Sequence, residues 1–138
     1  MLTKPNVMMA FACERVETEP GKPTSFHNML DGIEAAEFPA PTAQFVGVFA
    51  FYSTDAMSVK NCRVVIEHES GEMIAQTKVR DLSFGEQNPI SRNVVGFHGF
   101  AWPYPGWYRV KFVADKDTVL AIFPLLVQHS PQSGGEEK

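Results

Sequence analysis

A chain of 138 residues with 44% hydrophobic and 20% charged side chains has room for one domain around one core, and is too apolar to stay disordered. A formal net charge of −4 with scattered lysine and arginine disfavours a nucleic-acid partner. No apolar run approaches the ~20 residues that span a bilayer. Eleven phenylalanines against two tryptophans and three tyrosines suggest a filled apolar interior, because phenylalanine brings no polar handle.

Short alternating stretches then follow one another along the chain. Val7 to Arg15 opens the series, with Val7, Met9, Phe11 and Cys13 on one face. Glu19-Pro20-Gly21-Lys22-Pro23 supplies turn chemistry. Ser25 to Glu37 reads as two short strands or one strand bulged at Asp31-Gly32, since Gly32 and Pro39 weaken a helical reading. In Ala43 to Ser53, Phe45, Gly47, Phe49 and Phe51 alternate with Val46, Val48, Ala50 and Tyr52, so both faces are expected to be buried or nearly so.

Asn61 to Glu69 and Met73 to Leu82 flank the hairpin loop Glu69-Ser70-Gly71-Glu72, with Met73, Ala75, Thr77 and Val79 sharing a face. Ile90 to Trp102 is a further strand. Pro103-Tyr104-Pro105-Gly106 is a turn segment, in which Pro105 presets φ for the first central position and Gly106 supplies the positive φ of a type II turn. Trp107 to Val127 forms a closing hairpin through Asp115-Lys116-Asp117. This pattern predicts an all-β fold: one antiparallel β-sandwich of immunoglobulin-like architecture, with seven to nine strands over residues 1–128 and a flexible polar tail over 129–138.

Ala12-Cys13-Glu14, Gly21-Lys22, Leu30-Asp31-Gly32-Ile33 and Phe38-Pro39 stand in the first half of the chain. Gly71, Pro105-Gly106-Trp107-Tyr108 and Phe123-Pro124-Leu125-Leu126-Val127 follow in the second. In that order they resemble a group of short, uncharacterised bacterial proteins that look like immunoglobulin-type sandwiches. The resemblance covers about residues 5 to 128. It implies the fold and a bacterial origin, and no activity, cofactor or site.

The densest chemistry lies in residues 97–108 (FHGFAWPYPGWY), with six aromatics and a histidine. Trp102, Tyr104 and Trp107 are the candidate ligand or partner surface, either a stacking platform for a sugar ring or an anchor for a protein. Against this stands a structural role: Phe97 or Phe100 in the core, Trp102 and Trp107 capping one end, and Tyr108 as a corner residue bonding backbone.

His27, His68, His98 and His129 have no metal-ligand spacing, although His68 and His98, with Cys62, lie on strands that a fold could bring together. No nucleophile elbow or phosphate loop is present. The acids Glu14, Glu17, Glu19, Asp31, Glu34 and Glu37 read as a solvated segment. Cys13 and Cys62 read as small buried hydrophobes in a reducing compartment. The N-terminus lacks a leader-like apolar stretch and an Ala-x-Ala site, so the cytoplasm is expected. The expected role is non-enzymatic: a binding or assembly module with a protein partner or self-association, no cofactor, and no membrane or nucleic acid. A small-ligand or carbohydrate-binding module is the alternative. Unpaired edges are the hazard of such a sandwich; prolines 20, 23, 39 and 41 would blunt them, and Tyr52 or Trp107 would join a dimer contact.

Overall fold

Period-two alternation becomes strand almost everywhere in the computed structural model, which describes residues 4–130 except for the side chains of 41–43. Eleven strands and no helix occur among the described residues, so nothing there is a helix able to cross a membrane. One layer has the order β2 (Ser25–Leu30), β1 (Asn6–Glu17), β4 (Ala40–Tyr52), β9 (Ile90–Trp102). The other has the order β3 (Gly32–Ala35), β11 (Thr118–His129), β10 (Gly106–Ala114), β6 (Arg63–His68), β7 (Met73–Lys78). β5 (Met57–Val59) and β8 (Leu82–Phe84) make a separate ribbon.

Strands β1, β4 and β9 thus stand where A, B and E stand in an immunoglobulin-type sandwich, and β6, β7, β10 and β11 take the places of C, C′, F and G. The expected seven to nine strands are exceeded by the β5–β8 ribbon, a pairing of two three-residue segments too short to show alternation. The sheets are also not wholly antiparallel: β3 runs parallel to β11, with Leu126 opposite Gly32. Ser25 to Glu37 is two strands, and they belong to different layers, the chain crossing between them at Asp31. β11 runs through His129, and Ser130 N donates to Ala35 O. The rest of the expected tail lies outside the described residues.

Phenylalanines lock the two layers together. Phe49 of β4 lies 5.4 Å from Phe112 of β10 and 5.5 Å from Phe123 of β11, and Phe51 meets Phe112 edge-on at 5.0 Å. Pairs at such separations add about 0.5–1.5 kcal/mol beyond the area they bury. These contacts place β4 over β10, and β1 lies against β11. β9 therefore lies over β6, and β7 extends one strand past the edge of the opposing layer.

The first strand departs from expectation. Ala10 and Ala12, not Val7, Met9, Phe11 and Cys13, pack toward the core. A bulge between Val7 and Met9 shifts the parity. Beyond Cys13 the β1–β2 ribbon then leaves the layer. Arg92 on β9 donates to Thr24 Oγ1 at 2.9 Å although two strands separate β9 from β2 in the sheet, and Phe26 meets Phe11 edge-on at 5.2 Å. Those contacts require the ribbon to fold back over the outer face of its own sheet. Val48 and Ala50, which point outward from β4, are sealed at 0% and 1% exposure. Asn28 takes a positive φ within the ribbon and donates to Glu14 across it.

Candidate functional site

The aromatic segment 97–108 is divided by the fold. Phe97 is buried and stacks on Phe45 at 4.9 Å. Gly99, at φ 82, then inserts an extra residue opposite β4, where Ala43 pairs with Phe100 and Phe45 with Phe97. The inward side changes parity after it, so Trp102 turns inward. Trp102 is fully buried against Phe45, Phe100 and Tyr108. It is therefore core, not surface, and of the three candidate residues only Tyr104 and Trp107 are exposed, at 43% and 48%.

Tyr108 is the corner residue. Its hydroxyl donates to Tyr104 O at 2.6 Å and accepts from Tyr104 N at 3.3 Å. Burial pushes its phenol up. Gly106 has φ 126, and a Cβ there would run into Glu69 and His68, so the turn requires glycine. His68 is buried beneath this turn. Its Nε2 lies 3.0 Å from Pro105 O and its Nδ1 3.0 Å from Ser70 Oγ, so both ring nitrogens already have partners. The ring also meets Tyr104 and Tyr108 edge-on. Tyr104 donates its hydroxyl to Glu72 at 2.9 Å, which pushes the phenol up. The Tyr104 hydroxyl is held, which fixes its ring in place, and Tyr104 and Trp107 are the two exposed rings among the Phe, Tyr and Trp of the segment.

The structure does not gather the other titratable groups. His68 lies in the five-stranded layer and His98 on the outer edge strand of the four-stranded one. Among the described residues no group of three or more His, Cys, Asp or Glu is placed to hold a metal ion. Cys13 and Cys62 are free and buried, and desolvation pushes both thiols up, away from the thiolate a nucleophile needs. Three of the N-terminal acids are occupied locally: Glu17 with His27 at 2.8 Å, Glu19 with Lys22 at 3.3 Å, and Glu14 with Asn28.

What the sequence reading missed is an apolar surface at the far end of the four-stranded sheet. Tyr52 pairs with Ile90 across β4–β9, and Met8 stands out on the β1 bulge beside them. All three are exposed, at 41–47%. They line a cleft of about 580 Å³ together with Ser53, Thr54, Gly85, Glu86 and Pro89. Val94 continues the surface up β9, and Arg92 between it and Ile90 leans onto Thr24. Tyr52 carried part of the signal as an outward aromatic. Met8 carried none, because only the bulge exposes it.

Comparison with known proteins adds the fold alone. No family model matches the chain, and no curated protein matches it. The chain is similar to the Pseudomonas fluorescens alkylpurine DNA glycosylase AlkC, solved bound to DNA containing an abasic site analogue. That match has a TM-score of 0.55 and 12% identity, over 92% of this chain and 31% of the glycosylase chain. The chain thus spans about a third of that protein's length. It is also similar, with a TM-score of 0.42 and 12% identity, to the CARDB domain of PF1109 from Pyrococcus furiosus, solved with di-metal ions. That match covers 94% of this chain and the whole of the other. A Listeria innocua beta-glucosidase in complex with glucose gives a TM-score of 0.42 and 12% identity over 86% of this chain and 16% of the other.

Proposed function

We propose that the protein is a non-enzymatic binding and assembly module that pairs with a second copy of itself through the Met8–Tyr52–Ile90 surface. The observation that carries this reading is the register of those residues: three neighbouring strands present large apolar side chains at one level, around one cleft. A second copy offers the same largely apolar surface, in which Glu86 is the one charged residue among those lining the cleft, and isologous pairing about a two-fold axis closes the assembly. Apolar patches of functional size run to ~300–600 Å², whereas a standard interface buries about 800 Å² per partner. The pairing is accordingly weak and reversible. Two buried free thiols fit a reducing compartment, and with it the cytoplasmic placement. The resemblance to short bacterial sandwich proteins supports a bacterial source.

Sedimentation velocity over a wide concentration range tests the reading. The wild type is expected to move from monomer toward dimer as concentration rises, and Ile90→Lys to remain monomeric at every concentration with an unchanged melting temperature. A wild type that stays monomeric at its solubility limit, or an Ile90→Lys protein that dimerises as well as the parent, overturns it. The alternative, a small-ligand or carbohydrate-binding module, is favoured by a single observation, the half-exposed Trp107 ring. A shift in tryptophan fluorescence with an added sugar, abolished by Trp107→Ala at unchanged stability, would replace the assembly reading.

A further inference from the structure

We infer that the groove between β7 and β9 is an open strand position that receives one extended peptide from another protein by β-addition. The offset of the layers creates it. Among the described residues β9 pairs only with β4, so its outer edge has no strand partner. β7 lies one strand further out in the opposite layer, at the edge beyond β6. Its inward residues Ala75 and Thr77 are only half-buried, because no strand of the facing layer covers them. The groove encloses about 400 Å³, with Ala75 and Thr77 as floor and Gly96, Phe97, His98 and Phe100 as wall.

The chemistry of the edge is that of an acceptor. Edge strands are ordinarily blunted by lysine, proline, inward charge or a bulge; β9 has a bulge at Gly99, which leaves its ladder regular from Ile90 to Phe97. Across the thirteen residues of β9 the only ordinarily charged side chain is Arg92, and it is turned to Thr24 on the outer face. An incoming strand lies about 4.8 Å from β9 and about 10 Å from β7. It completes the backbone ladder of one sheet and lays alternate side chains on the other. Those side chains meet Ala75, Thr77, Phe97 and Phe100, so the peptide carries apolar residues at every second position and needs no charge.

A symmetric β9–β9 pair and the residues at 131–138 do not fit the groove. Antiparallel pairing of β9 with β9 of a second copy turns that copy about an axis normal to the sheet, and its β6 then falls where β7 already lies. Residues 131–138 (PQSGGEEK) contain no aliphatic or aromatic side chain to face Ala75 and Phe97. The inference rests on the binding-module reading but uses a surface separate from the Met8–Tyr52–Ile90 patch, so either can fail alone.

The test is an amide NMR titration of the full chain with the capped peptide Lys-Thr-Val-Thr-Val-Thr-Lys. Shifts are expected at residues 95–100 and 75–77, with slowed hydrogen exchange along β9. The same peptide N-methylated at alternate residues, which removes the ladder donors, is expected to produce none. Thr77→Arg, which fills the groove from a half-buried position, is expected to abolish the shifts; Ile90→Lys is expected to keep them. No shifts at saturating peptide, equal shifts with the N-methylated peptide, or shifts confined to Tyr52 and Ile90 each overturn the inference. Exchange along β9 in the wild type reads the same ladder without any variant.

Discussion

On the outer face of the five-stranded sheet, Arg109 and Lys111 both reach one oxygen of Glu67, at 2.8 and 3.1 Å. Arg63 caps the β10–β11 turn through Asp115 O at 2.9 Å and also reaches Asp117 Oδ1 at 3.2 Å. At the corresponding depth on the four-stranded sheet stand Val46, Val48 and Ala50, and the β1–β2 ribbon folds over them. One face meets water through ion pairs; the other is roofed by its own chain and left bare where the roof ends, at Tyr52 and Ile90. Outward-pointing positions in the two sheets therefore obey different rules, and substitution at matched positions exposes the difference.

The largest effect is expected from Val48→Lys set against Ile122→Lys. Both side chains point away from the interior, but Val48 is sealed and Ile122 is half exposed. An unpaired ammonium under the ribbon must be desolvated or must lift the ribbon off. A loss of about 3 kcal/mol or more is expected in urea unfolding, while Ile122→Lys stays within about 0.5 kcal/mol. Equal losses would mean that the ribbon does not roof the sheet.

Phe26→Ala is expected to cost about 2 kcal/mol, below a full core truncation because Phe26 is only half-buried. Its informative readout is hydrogen exchange at Val48 and Ala50. Faster exchange there, with Phe112 unchanged, means the roof opens without the sandwich. Uniform acceleration would make the ribbon part of the core and erase the contrast between the faces.

The roof also explains which parts of the fold were legible. β9 ran from Ile90 to Trp102 as the alternation predicted, and the Gly106 turn and the Tyr108 corner followed from local chemistry. The inward face of β1 did not. When both faces of a strand are covered, one by the opposite layer and one by a folded-back ribbon, both are apolar, and period-two burial no longer says which is which. Phe11, the larger side chain, looked like core and instead faces the roof, where it meets Phe26; Ala10 and Ala12 face the core. Trp102 was misplaced for a related reason. Gly99 reverses the parity of β9 in its last turn, and a glycine within a strand is the one sequence mark such a bulge leaves. The bare patch at Tyr52 depends on where the ribbon stops, a tertiary fact without local signature.

The smallest effect is electrostatic, and it belongs to the five-stranded face alone. Burial by itself would raise the Glu67 carboxyl, but the hydrogen bonds and charges of Arg109 and Lys111 outweigh it and hold the group below its ordinary value. A carboxyl held low in the folded state takes up its proton more readily when the chain is unfolded. The stabilisation it gives is therefore complete above the ordinary glutamate value of about 4.3 and is lost as the pH falls through the lower folded value. Arg109 is 41% exposed, so solvent screening keeps the term near 1 kcal/mol or below. Glu67→Gln should lower stability by up to about 1 kcal/mol at neutral pH, and the two proteins should converge as the pH falls through the lowered folded value of the wild-type carboxyl. Molar salt should shrink the neutral-pH difference, because the pair is partly open to water. The Val48→Lys loss is a desolvation cost and should respond far less to salt. A Glu67→Gln difference that persists at low pH and in high salt would assign the residue a packing role, and the two outer faces would then differ in polarity but not in the kind of force that holds them.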